Sequence, residues 1–462
     1  MNKINLNHLI IMKFKFVKNK IVLILFCAIF FGCMSLKAQD VVRLKSFEYP
    51  GGKKDDSMWS GMYTAKSGKI YIGLCTHADA ANFYEFDPAT EKMEHIADLT
   101  IFKGERGDGV RTSGKIHVVF VEDNEGNIYF GDFCEDNGPE CIDPSSYRGA
   151  HWFKYEPGTK NLTNIGMISE NSGLLGMTID QERRRLYGLG EDGHLYMYDM
   201  DKHITVDKGR VDDWDICRTI VADDEGNVYG SFPVNSIWKY DPKTDRTYDL
   251  QNVHVPNDPR IPPRTMSNPQ IDRKNLWRIL EWKPEERAFY GITNSDSRLF
   301  RFDPFDGDEG SIEPLSLMCA ERYLDADPKK IPIATLAFTL APNDKVFYAP
   351  VTSVGFDYSA ESWDVVNERE FTSKVNKAEL IPLSVLVEYD IKTRKRRELG
   401  TMETEDGRKI YGLGAAVYSP IDNKLYFAGA IEENDPEKVA GQIDMKWNYS
   451  MSLLSISIPS DF

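Results

Sequence analysis

The sequence has little cysteine, no excess of positive charge and no long apolar segment in its body. Its 462 residues contain seven cysteines, 56 Lys and Arg, and 72 Asp and Glu. So few cysteines exclude a disulfide scaffold, and the acidic balance argues against nucleic acid as a partner. No segment after residue 38 reaches the roughly 18 apolar residues of a membrane span. The Gly-rich phosphate loop, the GxSxG elbow and the HExxH helix are also missing, so no common catalytic motif identifies an enzyme class.

The first 38 residues have the pattern of an export signal. Lysines precede an apolar run at residues 21–31, which is too short for a permanent membrane helix, and small residues follow it as far as Ala38. We therefore predict a signal peptide at residues 1–38 and a secreted or periplasmic protein. The alternative is a lipoprotein anchored at Cys33, because a Gly-Cys pair follows the apolar run. Residues 1–38 contain six lysines and no acid, so the remainder has a net charge of −22.

A phrase with a tyrosine at its centre recurs seven times in the remaining chain. A turn rich in Asp, Asn, Glu and Gly precedes a short alternating strand in each copy, as in EGNIYFG and EGNVYGS. A second alternating phrase that ends in Tyr-Asp-Pro or a variant follows most copies. The seven repeat tyrosines are Tyr71, Tyr129, Tyr187, Tyr229, Tyr290, Tyr348 and Tyr426.

Each repeat has room for about four strands, which is typical of a β-propeller blade. We therefore predict an all-β fold in which residues 39–462 form one seven-bladed β-propeller. The seventh repeat ends at Phe462 without room for a fourth strand. Residues 41–49 precede the first repeat and have no other partner, so we expect this N-terminal strand to complete the last blade. Such closure would protect two sheet edges.

The propeller geometry predicts a functional site at one mouth of the central channel, where the inner strands begin. Residues 11 or 12 positions before the repeat tyrosines, and residues in the loops on the same face, include several histidines and arginines. The candidates from this face are Trp59, His77, His117, His151, His194, Arg218 and Arg278, with Tyr196 on a neighbouring strand. Ionisable groups gathered in one concave site favour function over packing. The alternatives are that the histidines only bond to loops, that each arginine pairs with an acid, and that Tyr196 belongs to the core.

Arginine beside histidine and tyrosine suits β-elimination on a uronic acid. The arginine pairs with the sugar carboxylate and lowers the barrier to a carbanion, an uncharged His or Tyr removes the proton, and a second group protonates the leaving oxygen. We therefore expect an acidic polysaccharide or oligosaccharide as the partner of a monomeric protein. This scheme needs neither a metal nor an organic cofactor.

Three segments resemble the seven-bladed propeller polysaccharide lyases, namely the ulvan lyases and the L-rhamnose-α-1,4-D-glucuronate lyases of arabinogalactan. These segments are GKIHVVF with His117, RGAHWFKYEP with His151, and DICRTIV with Arg218. The resemblance implies that the two histidines belong to the catalytic site and that Arg218 binds the carboxylate. By position, Tyr196 is the nearest candidate for the tyrosine of that family. The resemblance also implies cleavage of the bond between rhamnose and O4 of glucuronate by elimination.

Two other functions remain open from the sequence. Related propellers include α-L-rhamnosidases, which hydrolyse the same linkage from the opposite face with a histidine. No histidine of this chain falls clearly on a first-blade loop of that face, which disfavours the hydrolase. A propeller that binds glycans without catalysis is the second alternative, because the same fold carries many functions. We assign Arg278, His77, His194 and Trp59 to substrate binding in the lyase hypothesis.

Overall fold

The computed structural model describes residues 40–51, 54–76, 80–133, 144–211, 219–232, 235–260, 276–328, 331–352, 383–440 and 448–458. One compact unit begins at Val41 and includes all the described strands. The predicted signal peptide, Cys33 and the cysteines at positions 134, 141 and 217 lie outside the described residues. No helix in the described ranges is long and apolar enough to cross a membrane.

The chain forms short antiparallel sheets whose strands follow one another in sequence, as the repeat predicts. After the N-terminal strand β1 (Val41–Phe47), the first sheet contains β2 (Met62–Thr64), β3 (Ile70–Cys75), β4 (Ala81–Asp87) and β5 (Lys92–Asp98). The second contains β6 (Val121–Glu122), β7 (Ile128–Gly131), β8 (Ala150–Glu156) and β9 (Asn161–Ser169). Between these two sheets lies a single turn of helix, α1 (Leu99–Phe102), whose N-cap is Asp98.

The next three sheets repeat this order. The third contains β10 (Leu174–Asp180), β11 (Arg185–Gly190), β12 (His194–Asp199) and β13 (Ile204–Arg210). The fourth contains β14 (Val221–Ala222), β15 (Val228–Ser231), β16 (Ser236–Asp241) and β17 (Arg246–His254). The fifth contains β18 (Trp277–Lys283), β19 (Ala288–Thr293), β20 (Arg298–Asp303) and β21 (Ser311–Leu317). Single 3₁₀ turns occur at Pro144–Ser146, Pro284–Glu286 and Glu321–Tyr323.

The remaining strands form one continuous sheet of eight strands. They are β22 (Phe338–Ala341), β23 (Lys345–Tyr348), β24 (Val385–Asp390), β25 (Lys395–Thr404), β26 (Ile410–Ser419), β27 (Lys424–Glu432) and β28 (Tyr449–Ser457), together with β1. The fold is thus an all-β propeller. The described residues form five four-stranded sheets and this larger one.

The N-terminal strand explains the larger sheet. The second half of β1 pairs antiparallel with β28, with Lys45 opposite Ser455 and Phe47 opposite Leu453. This pairing confirms that the N-terminal strand adds the strand missing from the last repeat. The first half of β1 also pairs in parallel with β25, where Val41 lies opposite Thr401. The strand therefore covers two edges that would otherwise expose unpaired backbone groups.

The hydrophobic core lies between neighbouring sheets, and the repeat tyrosines contribute to it. Each of the seven lies in the second strand of its unit and is buried, as the pattern predicts. Aromatic contacts join the sheets; for example, the ring centroids of Phe83 and Phe130 lie 4.9 Å apart. Close packing also requires Gly188, since a Cβ at that residue would lie 2.8 Å from Cη2 of Trp152 on the preceding sheet. The inner ends of the sheets leave a central cavity.

Candidate functional site

His117 lies just before the innermost strand of the second sheet, as the sequence predicts. Its side chain is almost fully enclosed, with 1% of the residue exposed. Nδ1 lies 3.1 Å from the carbonyl oxygen of Leu175, so Nδ1 carries the proton in this contact. The imidazole stacks against Trp59, with centroids 5.9 Å apart and planes at 10°, and it also contacts Phe133. His117 therefore links three neighbouring sheets at their inner ends.

His151 lies in the third strand of the same sheet and is only partly buried. Its Nδ1 lies 3.1 Å from the carbonyl oxygen of Gly149, which can only accept a hydrogen bond. Nε2 is consequently the unprotonated nitrogen of the neutral ring. Burial lowers the pKa of His151, and the nearby ammonium of Lys103 lowers it further. An imidazole in this state can accept a proton at neutral pH.

The strand register places the two histidines at the same end of the second sheet. Lys115 forms a bridge to Phe133, and Gly131 lies opposite Trp152, so the residues around His117 and His151 share one end of the ladder. His117 precedes β6, the first strand, and His151 lies in β8, the third strand. At this end of the sheet the side chain of His151 is partly exposed, whereas that of His117 is enclosed.

A cluster of buried charged groups lies next to His151. The ammonium of Lys103 lies 2.7 Å from Oδ2 of Asp132 and 2.7 Å from Oε1 of Glu105, and its side chain is 4% exposed. It also donates to Oγ of Ser113 and to the carbonyl oxygen of Gly149. Burial acts to lower the pKa of Lys103, but the two carboxylates outweigh it and raise that pKa. We call Lys103, Glu105, Ser113 and Asp132 the Lys103 cluster.

The Lys103 cluster fixes the backbone on both sides of the start of β8, where His151 lies. Oδ1 of Asp132 accepts the backbone N–H of His151 at 2.7 Å, while Oδ2 accepts from Lys103. The carbonyl of Gly149 receives both Lys103 Nζ and His151 Nδ1. One buried ammonium thereby fixes the backbone of His151 and the carbonyl that selects its tautomer. The sequence does not predict this role of Lys103, because nothing in the local pattern marks a buried lysine.

Tyr196 and His194 are both engaged with acids of their own sheet. The Tyr196 hydroxyl donates to Oδ2 of Asp192 at 2.6 Å, and burial followed by this hydrogen bond raises the pKa of Tyr196. Nδ1 of His194 lies 2.9 Å from Oδ2 of Asp207 on the outermost strand. The two rings stack at 6.2 Å. This arrangement disfavours Tyr196 as a base, because a tyrosinate beside a carboxylate is costly.

Arg278 and Trp59 lie at the inner ends of the fifth and first sheets. Arg278 is the second residue of β18. Burial raises the pKa of Tyr348, and the nearby Arg278 cation acts in the opposite direction. The indole N–H of Trp59 donates to Oγ of Ser57 at 3.0 Å. Lys115 Nζ lies 5.6 Å from the Trp59 ring centroid, in cation–π range. Trp59 thus lies beside His117 and a cation.

Two predicted site residues, Arg218 and His77, lie outside the described residues. Their roles remain predictions from the sequence. The described residues contain no group of three His, Cys, Asp or Glu arranged to hold a metal ion. Cys75 and Cys319 are both buried.

The central cavity contains a residue that the sequence analysis missed. It has a volume of about 430 Å³ and is lined by the innermost strand or adjacent residues of every sheet. Glu281 on β18 lines it, and burial raises the pKa of Glu281 to about 8. Glu281 lies opposite the repeat residue Tyr290, whereas valine lies opposite the repeat tyrosines of the second and fourth sheets. An acid at a repeat position where other sheets have valine was the sequence signal that could have identified Glu281.

Comparison with known proteins supports the fold but identifies no family. No protein-family model matches the chain, and no curated protein matches it. The crystal structure of the RRP9 WD40 repeats is similar, with a TM-score of 0.52 and 9% identity over 90% of this chain and 98% of that one. The structure of U3-55K gives a TM-score of 0.52 and 9% identity over 91% and 100% of the two chains.

A chain in the crystal structure of the mitotic checkpoint complex is also similar. It has a TM-score of 0.51 and 8% identity, covering 92% of this chain and 94% of the other. Identities this low establish a common propeller architecture and transfer no functional residue.

Proposed function

We propose that the protein is a polysaccharide lyase that cleaves a rhamnosyl-(1→4)-glucuronate linkage by β-elimination. The observation that carries the proposal is the state of His151, a neutral imidazole whose Nδ1 faces a carbonyl and whose Nε2 is unprotonated. A base of this kind suits proton removal from the carbon beside the uronate carboxylate. His117 lies at the same end of the sheet, and Arg218 is the residue that the sequence assigns to the carboxylate.

In the proposed reaction, His151 takes the proton from C5 of the uronic acid. The electron pair of that C–H bond forms the C4–C5 double bond, and the C4–O4 bond breaks. The leaving oxygen must take a proton from a second group. The sequence offers His117 for this role, but in this arrangement the ring is enclosed and its Nδ1 proton is donated to the carbonyl of Leu175. Arg218 would stabilise the negative charge that develops on the carboxylate. The products are an unsaturated uronate and a chain with a free hydroxyl, so no external oxidant or water is consumed.

We further propose that the ring has seven blades, with the eight-stranded sheet counting as two four-stranded blades, β22–β25 and β26–β28 with β1, that are joined where β1 pairs with β25. The support is that seven innermost strands, or residues beside them, line the central cavity. We also propose that residues 1–38 direct export to the periplasm or the exterior, and that the mature protein is a monomer. A secreted monomer suits a polymeric substrate that does not enter the cell.

A propeller that binds acidic glycans without cleaving them is the second candidate. The observation in its favour is that Tyr196 donates to Asp192 and His194 pairs with Asp207. Both side chains are thus held by acids of their own sheet and not by a substrate. Lys115 and Trp59 would still supply a cation and an aromatic platform for a sugar. A glycan-binding protein needs no base, so the two functions differ in the importance of His151.

Incubation with ulvan and with arabinogalactan tests the proposal. The lyase should generate the ultraviolet absorbance of an unsaturated uronate. His151→Gln should lower the rate by about 10²-fold or more, since general-base catalysis contributes on that order. Arg218→Ala should abolish turnover. His254→Gln is the matched control, because His254 is exposed on the outer strand of the fourth sheet and should leave the rate unchanged.

The outcomes separate the candidate functions. New reducing ends without the absorbance would contradict the lyase and identify the α-L-rhamnosidase. Saturable binding of an acidic oligosaccharide with no product after prolonged incubation would identify the binding protein. Full activity in His151→Gln would remove this histidine from the mechanism.

A further inference from the structure

Met167 is the single exposed methionine among those that the structure describes. It lies on β9, the outer strand of the second sheet, and 44% of the residue is exposed. Met93 and Met451 are partly buried, and the other methionines of the described ranges are buried. An oxidant must reach the sulfur of a thioether, so exposure decides which methionine reacts. Of the described methionines, Met167 is therefore the most accessible to a soluble oxidant.

The strand register places Met167 directly opposite His151. The two residues are partners in the antiparallel ladder of β8 and β9. Side chains of directly opposite residues lie on the same face of a sheet, with Cβ atoms about 5 Å apart. His151 is also partly exposed. Because the methionine side chain is unbranched and flexible, its sulfur can reach the imidazole from this position.

Nε2 is the nitrogen of His151 that is available for a new contact with this sulfur. Nδ1 lies 3.1 Å from the carbonyl oxygen of Gly149 and donates to it. A protonated ring keeps that hydrogen bond and has a second N–H donor at Nε2. A thioether is only a weak acceptor, whereas oxidation makes the side chain polar. The sulfoxide therefore places a strong acceptor opposite Nε2 that the reduced side chain lacks.

The backbone of Met167 is fixed independently of its side chain. Its carbonyl oxygen accepts the hydroxyl of Thr205 at 2.7 Å, and that hydroxyl accepts the indole N–H of Trp152 at 3.1 Å. These contacts join the second and third sheets and do not involve the thioether. Oxidation of the sulfur can therefore change the surface beside His151 while β9 keeps its place.

We propose that Met167 is a site of reversible oxidation by peroxide, and that its sulfoxide forms a hydrogen bond with protonated His151. The thioether sulfur attacks one oxygen of hydrogen peroxide, the O–O bond breaks and an S–O bond forms. The other oxygen leaves as water after proton transfer, so the sulfur loses two electrons and the peroxide gains them. Methionine sulfoxide reductases reverse the step.

The new hydrogen bond would stabilise the imidazolium and so raise the pKa of His151. Lys103 and Asp132 are the charged groups that already act on this ring, the first lowering its pKa and the second raising it. Neither group changes on oxidation, so a change in the pKa reports on Met167. The oxidation itself does not depend on lyase activity. Its effect on a reaction rate rests on the proposed function, in which His151 must be neutral to accept a proton.

Peptide mass spectrometry of the mature chain after brief exposure to hydrogen peroxide tests the site. Met167 should gain one oxygen atom about tenfold or more faster than Met177, which is buried in the neighbouring sheet, because oxidation follows exposure. Oxidation of Met167 at the same rate as Met177, or no oxidation of Met167, would overturn the proposal.

Nuclear magnetic resonance titration of the His151 ring tests the contact without any substrate, so its failure is distinct from failure of the lyase assay. The ring pKa should rise on oxidation and return after treatment with methionine sulfoxide reductases. In Met167→Leu, which keeps an apolar side chain of similar size, peroxide should leave the pKa unchanged. Met93→Leu is the matched control, since Met93 lies on the outer strand of the first sheet, and the rise should persist there. An unchanged pKa in the oxidised wild-type chain, or a rise that persists in Met167→Leu, would refute the contact.

Discussion

Replacement of Lys103 tests whether the buried ion pairs of the Lys103 cluster stabilise the protein at the candidate site. Its ammonium pairs with Glu105 and Asp132 in an almost solvent-free environment. Lys103→Met keeps much of the side-chain volume but leaves two carboxylates buried without their cation. Removal of one partner from a buried pair costs about 3–5 kcal/mol. We therefore expect the free energy of unfolding to fall by about that amount.

Urea unfolding at pH 7 measures this loss. The matched control is Lys160→Met, which removes an exposed ion pair with Glu94 and should leave the unfolding midpoint unchanged, because solvent screens such pairs. Combining Lys103→Met with Glu105→Gln and Asp132→Asn should recover part of the stability, since neutral amides cost less to bury than unpaired carboxylates. A loss below about 1 kcal/mol for Lys103→Met would refute the buried pair.

The same variant also tests the link to His151. Lys103 contributes to the lowered pKa of His151, so its removal should raise that pKa, and the remaining carboxylate of Asp132 acts in the same direction. Nuclear magnetic resonance titration of the His151 ring measures the shift without any substrate. If His151 is the base of the proposed reaction, the acidic limb of the pH–rate profile moves to higher pH by the same amount. An unshifted ring pKa would show that the Lys103 cluster is only structural.

Two further predictions concern stability. Burial raises the pKa of Asp55 to about 7, so between about pH 4 and pH 7 the folded chain holds one more proton than the unfolded chain and its stability falls as the pH rises. Asp55→Asn should flatten that part of the stability curve, and parallel curves would contradict the assignment. Gly226→Ala should lower the thermal midpoint more than Gly126→Ala. Both glycines have a positive φ, which costs alanine about 1 kcal/mol, but only at Gly226 would the new Cβ lie 2.2 Å from a carboxylate oxygen of Asp180; equal losses would contradict this reasoning.

The repeat in the sequence was sufficient to predict the strands and their order. Alternating phrases around Tyr71 and Tyr129 form antiparallel strands because turn residues and a period of two are local properties. The pairing of residues 45–47 with the last repeat also followed, since an incomplete final unit leaves one edge to cover. The parallel pairing of Val41 with Thr401 did not follow, because it depends on how closely two neighbouring sheets approach.

The candidate site was predictable only in part. Register along the repeat located His117 and His151 at one end of the second sheet, which the strand pairing supports. Their hydrogen-bond partners were not predictable, since Leu175 and Gly149 are contacted through backbone carbonyls that carry no residue-specific signal. Tyr196 was placed by its position alone, which could not reveal its hydrogen bond to a nearby aspartate.

By itself, the sequence determined the unit of this protein: a turn, a strand with a buried tyrosine and a following strand, repeated until the chain could close on its own N-terminus. The tertiary structure decided which charged groups are buried away from water. Burial of Lys103 among acids, and of Glu281 in the central cavity, arises where segments distant in sequence exclude solvent together. Protonation states depend on that exclusion, because the free energy of a charge is set by everything around it, whereas strand formation depends mainly on neighbours along the chain.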